Sequence, residues 1–330
     1  MLKFYADEVA IDTATRETLH NARIANETRL EEGLAKARKP KVRRHQQQGG
    51  YAMKTVVQRP KNDFDIDNGA IFAANDLKTA QGNPMSALDA RKMARDAIDD
   101  GSFKTPPEVK RHCVRIHYAD GYHVDVPVYR ETDTMFGRRL EIAGPEWKHS
   151  DPQGVNDWFE GAVNTKSPDS TNDRQMRRVV AYLKALGKSR ESWDAPTGFM
   201  ISVLVDECYR SRAGRDDAAL RDTMKAIRDR LKSNLRIRHP KVDEYLTEGD
   251  KDSSCIFFRD KLSSLLDDLG ILDDPNCAEA DAARAWDKVF ATSYFSDRIA
   301  ESAKRRGFST GVAATVPAVQ FVRSGDRQYG

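Results

Sequence analysis

The first 150 residues contain short runs of β-branched and aromatic residues, a pattern that predicts the strands of a small sheet. Four runs have this composition: residues 51–57, 63–72, 113–118 and 123–129. Ala119-Asp120-Gly121 lies between the last two runs and predicts the turn of a hairpin. This half of the chain is therefore expected to be organised around a sheet.

Helical spacing of apolar residues predominates elsewhere. Residues 12–38 predict a long first helix that ends before Pro40, and residues 86–99 predict a second helix among the strands. Ser150-Asp151-Pro152 predicts another helix start, with the Ser150 hydroxyl as the cap. Helical spacing then continues to residue 305, so the second half is predicted to be helical almost throughout.

The composition argues against a membrane-spanning protein. Hydrophobic residues make up 39% and charged residues 32% of the 330 residues, and the mean hydropathy is −0.69. No run approaches the ~20 apolar residues that a membrane helix needs, and the start lacks the apolar region of a signal peptide. We therefore expect a cytoplasmic protein with no membrane partner. The four cysteines lie far apart and have no paired histidines, which predicts reduced thiols and no zinc site.

A cluster of basic residues stands out because the net charge of the whole chain is only +3. Six lysines and arginines fall within residues 36–44. Such a cluster is typical of a solvated helix end, and it also suits a surface that attracts phosphates. Since no zinc-ligand cluster and no second extended basic surface accompany it, we favour the helix end and expect no activation by DNA.

Three aspartates on predicted strands form the candidate catalytic centre. Asp65 and Asp67 alternate with Ile66, so both carboxylates point to one face of their strand. Asp125 is a lone acid in an apolar run whose valines would point to the core. Mg²⁺ favours carboxylates together with phosphates, and a third carboxylate would let two ions sit ~4 Å apart. Each segment alone also fits a solvated strand face or a turn.

Gln48-Gly49-Gly50 precedes the strand that carries Asp65 and Asp67. A glycine pair lets backbone N–H groups approach a triphosphate closely. By itself it is equally typical of a turn from helix to strand. The order of glycine pair, paired aspartates and third aspartate favours the phosphate-binding interpretation.

These motifs resemble those of the bacterial cGAS/DncV-like nucleotidyltransferases, the cyclic-oligonucleotide synthases of CBASS anti-phage signalling. The similarity extends from about the first helix to residue 306, and its motifs include Gln48-Gly49-Gly50, the paired aspartates and residues 123–129. It implies an α+β fold: a polymerase-β-like nucleotidyltransferase domain with a mixed sheet in residues 1–150 and a helical domain in residues 151–320. A long N-terminal spine helix and a flexible tail in residues 321–330 complete this expectation.

The resemblance also implies roles for individual residues. Asp65, Asp67 and Asp125 would be the catalytic metal ligands for two Mg²⁺ ions, with Mn²⁺ as an alternative ion. The turn and the helical domain would supply the nucleotide-binding residues: Gln48, Gly49, Gly50, Lys184 and Thr197. Many relatives have serine in place of the second glycine. From the pattern alone, Lys184 is an exposed helix lysine and Thr197 is a helix N-cap.

The implied activity is the joining of ATP and other NTPs with release of pyrophosphate, and a purine-containing cyclic dinucleotide is the expected product. Two alternatives remain open: a linear nucleotidyltransferase or polymerase that acts on another acceptor, and a non-catalytic nucleotide sensor. The intact acidic triad favours an enzyme. The polar, glycine-containing end of the chain is expected to be mobile, and Gly330 is compatible with attachment by a ubiquitin-like conjugation enzyme.

Overall fold

The computed structural model describes residues 1–58, 64–135 and 137–310, which divide into two compact units. One unit is Met1–Asp268 and the other begins at Leu269. The predicted tail and Asp63, at the start of a predicted strand, lie outside the described residues. The domain boundaries at residues 150 and 320 stay predictions.

Strands and helices are mixed up to residue 149, where six consecutive strands end, and helices follow. The strands of the described residues are β1 (Arg44–Gln48), β2 (Asp65–Ala73), β3 (Glu108–Val109), β4 (Val114–His117), β5 (His123–Val126), β6 (Val128–Thr134), β7 (Gly137–Ala143) and β8 (Trp147–His149). The α-helices are α1 (Leu2–Phe4), α2 (Thr13–Lys36), α3 (Gly49–Ala52), α4 (Ala87–Ile98), α5 (Pro152–Lys166), α6 (Gln175–Lys188), α7 (Gly198–Cys208), α8 (Asp216–Ser233), α9 (Ser253–Asp268), α10 (Glu279–Phe290) and α11 (Tyr294–Thr310). Within the described ranges, no helix is both long enough and apolar enough to cross a membrane.

The strands form one mixed sheet in the order β3-β4-β5-β2-β6-β7-β8, and β1 pairs with β2 outside this path. β2 pairs in parallel with both β5 and β6, which only Pro127 separates. The predicted hairpin is confirmed, because β4 and β5 pair antiparallel across a turn in which Gly121 has a φ of 100°. The predicted α+β class is also confirmed, and β2 lies in contact with three other strands.

A shared apolar core joins α2 and α4 to the sheet. It contains large buried side chains from the helices and from β2: Leu19, Leu30, Ile66, Phe72 and Ile98. The two helices approach closely at Gly33, where an added Cβ would lie 1.9 Å from the carbonyl oxygen of Ala97. Because Ile66 points into this core, strand alternation turns Asp65 and Asp67 to the opposite face of β2.

Two local predictions were wrong. Residues 51–57 do not form a strand, because the chain turns at Gly49 into the short helix α3. The strand lies earlier, at β1, where the backbone pairs with β2 in the register Arg44 to Ile71. The basic residues 36–44 are therefore not a helix end alone, since α2 stops at Lys36 and Arg44 opens β1. The secondary structure of this region depends on long-range strand pairing, which the local periodicity of the sequence does not indicate.

The cap of α5 also differs from the prediction. The side chain of Asp151, and not that of Ser150, accepts a hydrogen bond from the Gly154 N–H at 2.8 Å. Aspartate and serine are both favoured N-caps, so the sequence identified the helix start but not the capping residue.

Candidate active site

Asp65 and Asp67 both line a cavity of about 410 Å³. The parallel register places Asp67 beside Asp125 of β5, and the antiparallel register pairs Asp67 with Gln48 of β1. Other residues of the wall come from α3, α6, α7 and the loops between elements: Gly49, Gly50, Thr55, Lys184, Phe199 and His239. The predicted strand alternation therefore brings the paired carboxylates and the glycine turn to one cavity.

The carboxylates form a crowded negative group. Burial raises the pKa of Asp67 from its ordinary value of 3.8 to about 7, with further upward contributions from Asp125 and Asp65 and a downward one from Arg115. The Asp65 side chain is 43% exposed, and its Oδ1 lies 3.5 Å from Nη2 of Arg115. Ionised Asp67 is thus unfavourable here unless more positive charge reaches it.

Arg115 holds Asp125 in a two-point contact. Its Nε donates to Oδ1 of Asp125 and its Nη2 donates to Oδ2, both at 2.8 Å. This fork geometry is the strongest that a guanidinium and a carboxylate form. Asp125 is only 7% exposed, so the guanidinium satisfies a buried charge.

The donor set fits a divalent cation at Asp65 and Asp67, because both carboxylates face the cavity and their charge is only partly neutralised. No group of three His, Cys, Asp or Glu among the described residues is arranged to hold a metal ion. Arg115 already occupies both oxygens of Asp125. A metal-ligand role for Asp125 stays a prediction, in which an ion would compete with Arg115 for the charge of that carboxylate.

The glycine turn lies directly against Asp67. Gly49 has a φ of 66°, and an added Cβ would lie 2.1 Å from Oδ2 of Asp67. Both the backbone conformation and the space therefore require glycine at this position. Gly50 differs, because a Cβ there would meet only ordinary contacts with Val56 and Thr55.

Gly49→Ala is expected to destabilise the fold and to weaken NTP binding. The left-handed conformation costs a non-glycine residue about 1–2 kcal/mol, and the clash with Asp67 adds to that. Gly82→Ala is the matched control, because Gly82 has a φ of 82° with nothing within 4 Å of an added Cβ. We expect Gly49→Ala to lower the free energy of unfolding by more than Gly82→Ala does and to weaken NTP binding. If chemical denaturation showed the same loss of unfolding free energy in both variants, this prediction would be contradicted.

Gln48 is fixed from the sheet. The Tyr129 hydroxyl donates to Oε1 of Gln48 at 2.8 Å, and burial raises the pKa of Tyr129, so the phenol stays a donor. Gly69 makes room for this ring, since an added Cβ would lie 2.5 Å from its Cε2. Gln48 is therefore oriented beside Asp67 before any ligand binds.

Lys184 reaches the cavity from α6. Its Nζ donates to the Thr55 hydroxyl at 2.6 Å, and its side chain packs against Gly198, where an added Cβ would lie 3.2 Å from Cε. It is half-buried and not the exposed helix lysine of the alternative interpretation. Thr197 caps α7 by accepting from the Met200 N–H at 3.3 Å. Triphosphate contacts by both residues stay predictions.

Sequence reasoning missed four residues of this site: Thr55, Arg115, Phe199 and His239. Arg115 had a usable signal, because it lies opposite Asp125 in the predicted hairpin. The Phe199 and His239 rings meet edge to face with centroids 5.3 Å apart, a contact that no local pattern signals.

Comparison with known proteins supports the nucleotidyltransferase interpretation. Residues 43–129 match the family model of the cyclic GMP-AMP synthase DncV-like nucleotidyltransferase domain. A curated relative, the cyclic GMP-AMP synthase of Escherichia albertii, is 27% identical over 289 residues, which cover 79% of this chain and 60% of the relative. The chain thus spans less than two thirds of that relative's length.

Solved structures of DncV share the fold at low sequence identity. Vibrio cholerae DncV in complex with nonhydrolyzable GTP has a TM-score of 0.68 at 14% identity, over 86% of this chain and 91% of that chain. Vibrio cholerae DncV with the linear intermediate 5′ pppA(3′,5′)pG has a TM-score of 0.66 at 14% identity, over 86% and 91%. Escherichia coli DncV with 3′-deoxy GTP has a TM-score of 0.66 at 14% identity, over 88% and 95%. Residues 43–129 therefore resemble the DncV-like nucleotidyltransferase domain, within a chain that shares the DncV fold.

Proposed function

We propose that this chain is a cyclic oligonucleotide synthase that joins NTPs with release of pyrophosphate and supplies a second messenger for anti-phage defence. One observation carries the proposal. Asp65 and Asp67 line the same cavity as the Gly49 turn and Lys184, in a fold shared with DncV. Carboxylates and a lysine around one cavity suit a triphosphate and the cations that accompany it. The relatives described with GTP and with a linear intermediate support a purine-containing cyclic dinucleotide as product.

The residues of the cavity divide the work of binding and reaction. Lys184 is placed to neutralise the donor triphosphate, and the Gly49 turn lets that triphosphate approach the backbone beside Asp67. An acceptor ribose hydroxyl attacks the α-phosphorus, the bond to pyrophosphate breaks, and pyrophosphate leaves. Asp125 is the candidate to accept the hydroxyl proton once Arg115 has released it.

A bound Mg²⁺ would be held by Asp65 and Asp67 and would supply charge neutralisation at the phosphates. The remaining contribution of the chain is positioning, which accounts for much of phosphoryl-transfer catalysis. The second reaction repeats the first, with the linear intermediate turned over so that its own hydroxyl closes the ring.

An incorporation assay tests the proposal. Purified protein is incubated with four α-labelled NTPs and Mg²⁺, or Mn²⁺ in a parallel series, and the products are treated with phosphatase. A cyclic product keeps all of its label, whereas a linear product loses the phosphates of its 5′ end. A linear product would favour the alternative activity of nucleotide addition or polymerisation, and the absence of any product would favour a nucleotide sensor.

Lys184→Ala is expected to weaken NTP binding without unfolding the protein. The variant removes a charge-assisted contact of about 1.5–3 kcal/mol, or roughly 10- to 150-fold in Kd. Lys92→Ala, on the exposed side of α4, is the control for loss of one positive charge. Isothermal titration with a nonhydrolyzable NTP measures both, and an unchanged Kd for Lys184→Ala would remove this residue from the triphosphate site.

A further inference from the structure

His239 lies in the cavity wall with its ring in a fixed tautomer. The backbone N–H groups of Lys241 and Val242 both donate to its Nδ1, each at 3.1 Å. An atom that accepts two hydrogen bonds carries no proton, so the proton of the neutral ring is on Nε2. Burial lowers the pKa of His239, which favours this neutral form at pH 7.

The backbone around His239 holds the ring in place. The His239 N–H donates to the carbonyl of Glu244 at 2.9 Å, and the Leu246 N–H donates to the carbonyl of Ile237 at 2.8 Å. Phe199 supports the ring from the side, with the centroids 5.3 Å apart. His239 is therefore a rigid donor, because turning the ring over would break the bonds to Nδ1.

The Nε2–H has no acceptor in the described part of the chain, and Nε2 is not among the buried polar atoms without a partner. It is thus a polar group open to a ligand, and His239 shares the cavity wall with the aromatic ring of Phe199. An aromatic ring beside one fixed hydrogen-bond donor suits a nucleobase, which offers a flat face and a polar edge.

We propose that His239 donates a hydrogen bond from Nε2–H to a carbonyl oxygen on the edge of a bound nucleobase, and so selects keto bases over amino bases. Guanine and uracil carry a carbonyl where adenine and cytosine carry an amino group. The fixed Nε2–H attracts a carbonyl oxygen. It disfavours an amino group, because the Nε2–H and the amino group are both hydrogen-bond donors and neither can accept from the other. The inference rests on the proposed function, since it takes the cavity to be an NTP site.

His239→Asn separates base recognition from support of the loop. The asparagine Oδ1 takes the place of Nδ1 and still accepts from Lys241 and Val242, but no donor remains at the position of Nε2. His149→Asn, at an exposed position of β8 outside the cavity lining, is the matched control.

Titration calorimetry with nonhydrolyzable analogues of ATP, GTP, CTP, UTP and inosine triphosphate, in Mg²⁺, gives the test. The wild-type chain and His149→Asn are expected to bind GTP over ATP and UTP over CTP, each by roughly 3- to 10-fold. Inosine triphosphate, which keeps the carbonyl but lacks the 2-amino group of guanine, is expected to bind like GTP. Both ratios should fall towards 1 in His239→Asn, with an unchanged unfolding temperature.

Several outcomes would overturn the inference alone. The first is NTP binding in which His239→Asn leaves the GTP-to-ATP and UTP-to-CTP affinity ratios unchanged. The second is a preference for amino bases. The third is a preference for purines without a preference for keto bases. The last would mean that Nε2–H contacts the ring nitrogen N7, which both purines share. If the wild-type chain binds none of the five nucleotides, the proposed function fails as well.

Discussion

Replacing Asp65 and Asp67 together with asparagine is expected to abolish nucleotide incorporation and to leave the fold intact. The two carboxylates line the cavity beside the Gly49 turn, and they are the groups expected to hold Mg²⁺. Asparagine has nearly the same shape but carries no charge, so it binds Mg²⁺ far more weakly. The assay with labelled NTPs should show no product, and Mg²⁺ should no longer change the unfolding temperature.

The same substitution is expected to change the pH dependence of stability. Folding raises the pKa of Asp67 from 3.8 to about 7, chiefly by burial. A raised carboxyl pKa favours the protonated form, so this residue destabilises the fold progressively as pH rises from about 4 to 7. Without metal, the unfolding temperature of the wild-type chain should therefore fall across this range more than that of the double variant. At pH 8 the variant is expected to be at least as stable.

The control is the double variant Glu32→Gln with Asp76→Asn, which also removes two negative charges but at two exposed positions. This control should keep full incorporation and the wild-type response to Mg²⁺. Undiminished product from the Asp65 and Asp67 variant would refute the assignment of the active site, whatever the stability data showed.

The arrangement of the three aspartates on neighbouring strands was predictable because its signals are local. Alternation along one strand places Asp65 and Asp67 on one face, and the turn at residues 119–121 fixes the register of the hairpin that carries Asp125. The same turn also fixes the partner of Asp125. A turn centred on Asp120 pairs the residues five before and five after it, Arg115 and Asp125. The hairpin in the sequence therefore also predicts the contact between Arg115 and Asp125.

The rest of the cavity depends on contacts that local patterns do not encode. Lys184 meets Thr55 across 129 residues of chain, and nothing near either residue signals this. The position of β1 was likewise missed, because Gln46 and Gln47 are neither β-branched nor aromatic and are held in the strand by pairing with β2. His239 lies outside the helices and strands and is placed by its loop, where no periodicity applies.

Arg115→Ala is expected to destabilise the metal-free protein strongly, and Mg²⁺ is expected to restore much of the loss. Removing the guanidinium leaves the Asp125 side chain, which is 10% exposed, without its two-point partner. Leaving a buried charge unpaired costs about 3–5 kcal/mol, less where the pair is partly exposed as here. A cation at the neighbouring carboxylates would take over the role of the guanidinium, so Mg²⁺ should raise the unfolding temperature of this variant more than that of the wild-type chain.

Arg130→Ala is the matched control for this experiment. Arg130 also contacts a carboxylate across paired strands, with its Nε 2.6 Å from Oε2 of Glu141, and the two side chains are 27% and 12% exposed. The corresponding values for Arg115 and Asp125 are 29% and 10%. Both variants should lose stability without metal, but only Arg115→Ala should recover with Mg²⁺, because Arg130 and Glu141 are not part of the cavity lining.

Binding of Mn²⁺, followed by electron paramagnetic resonance without nucleotide, measures the competition directly. Arg115→Ala is expected to bind Mn²⁺ more tightly than the wild-type chain, since the ion no longer competes with a guanidinium for the charge of Asp125. Arg130→Ala should bind it with wild-type affinity. If Arg115→Ala bound Mn²⁺ no better than Arg130→Ala and Mg²⁺ stabilised neither variant, Asp125 would not be a metal ligand. Its carboxylate would then serve only to position Arg115 beside Asp65, where Nη2 and Oδ1 are 3.5 Å apart.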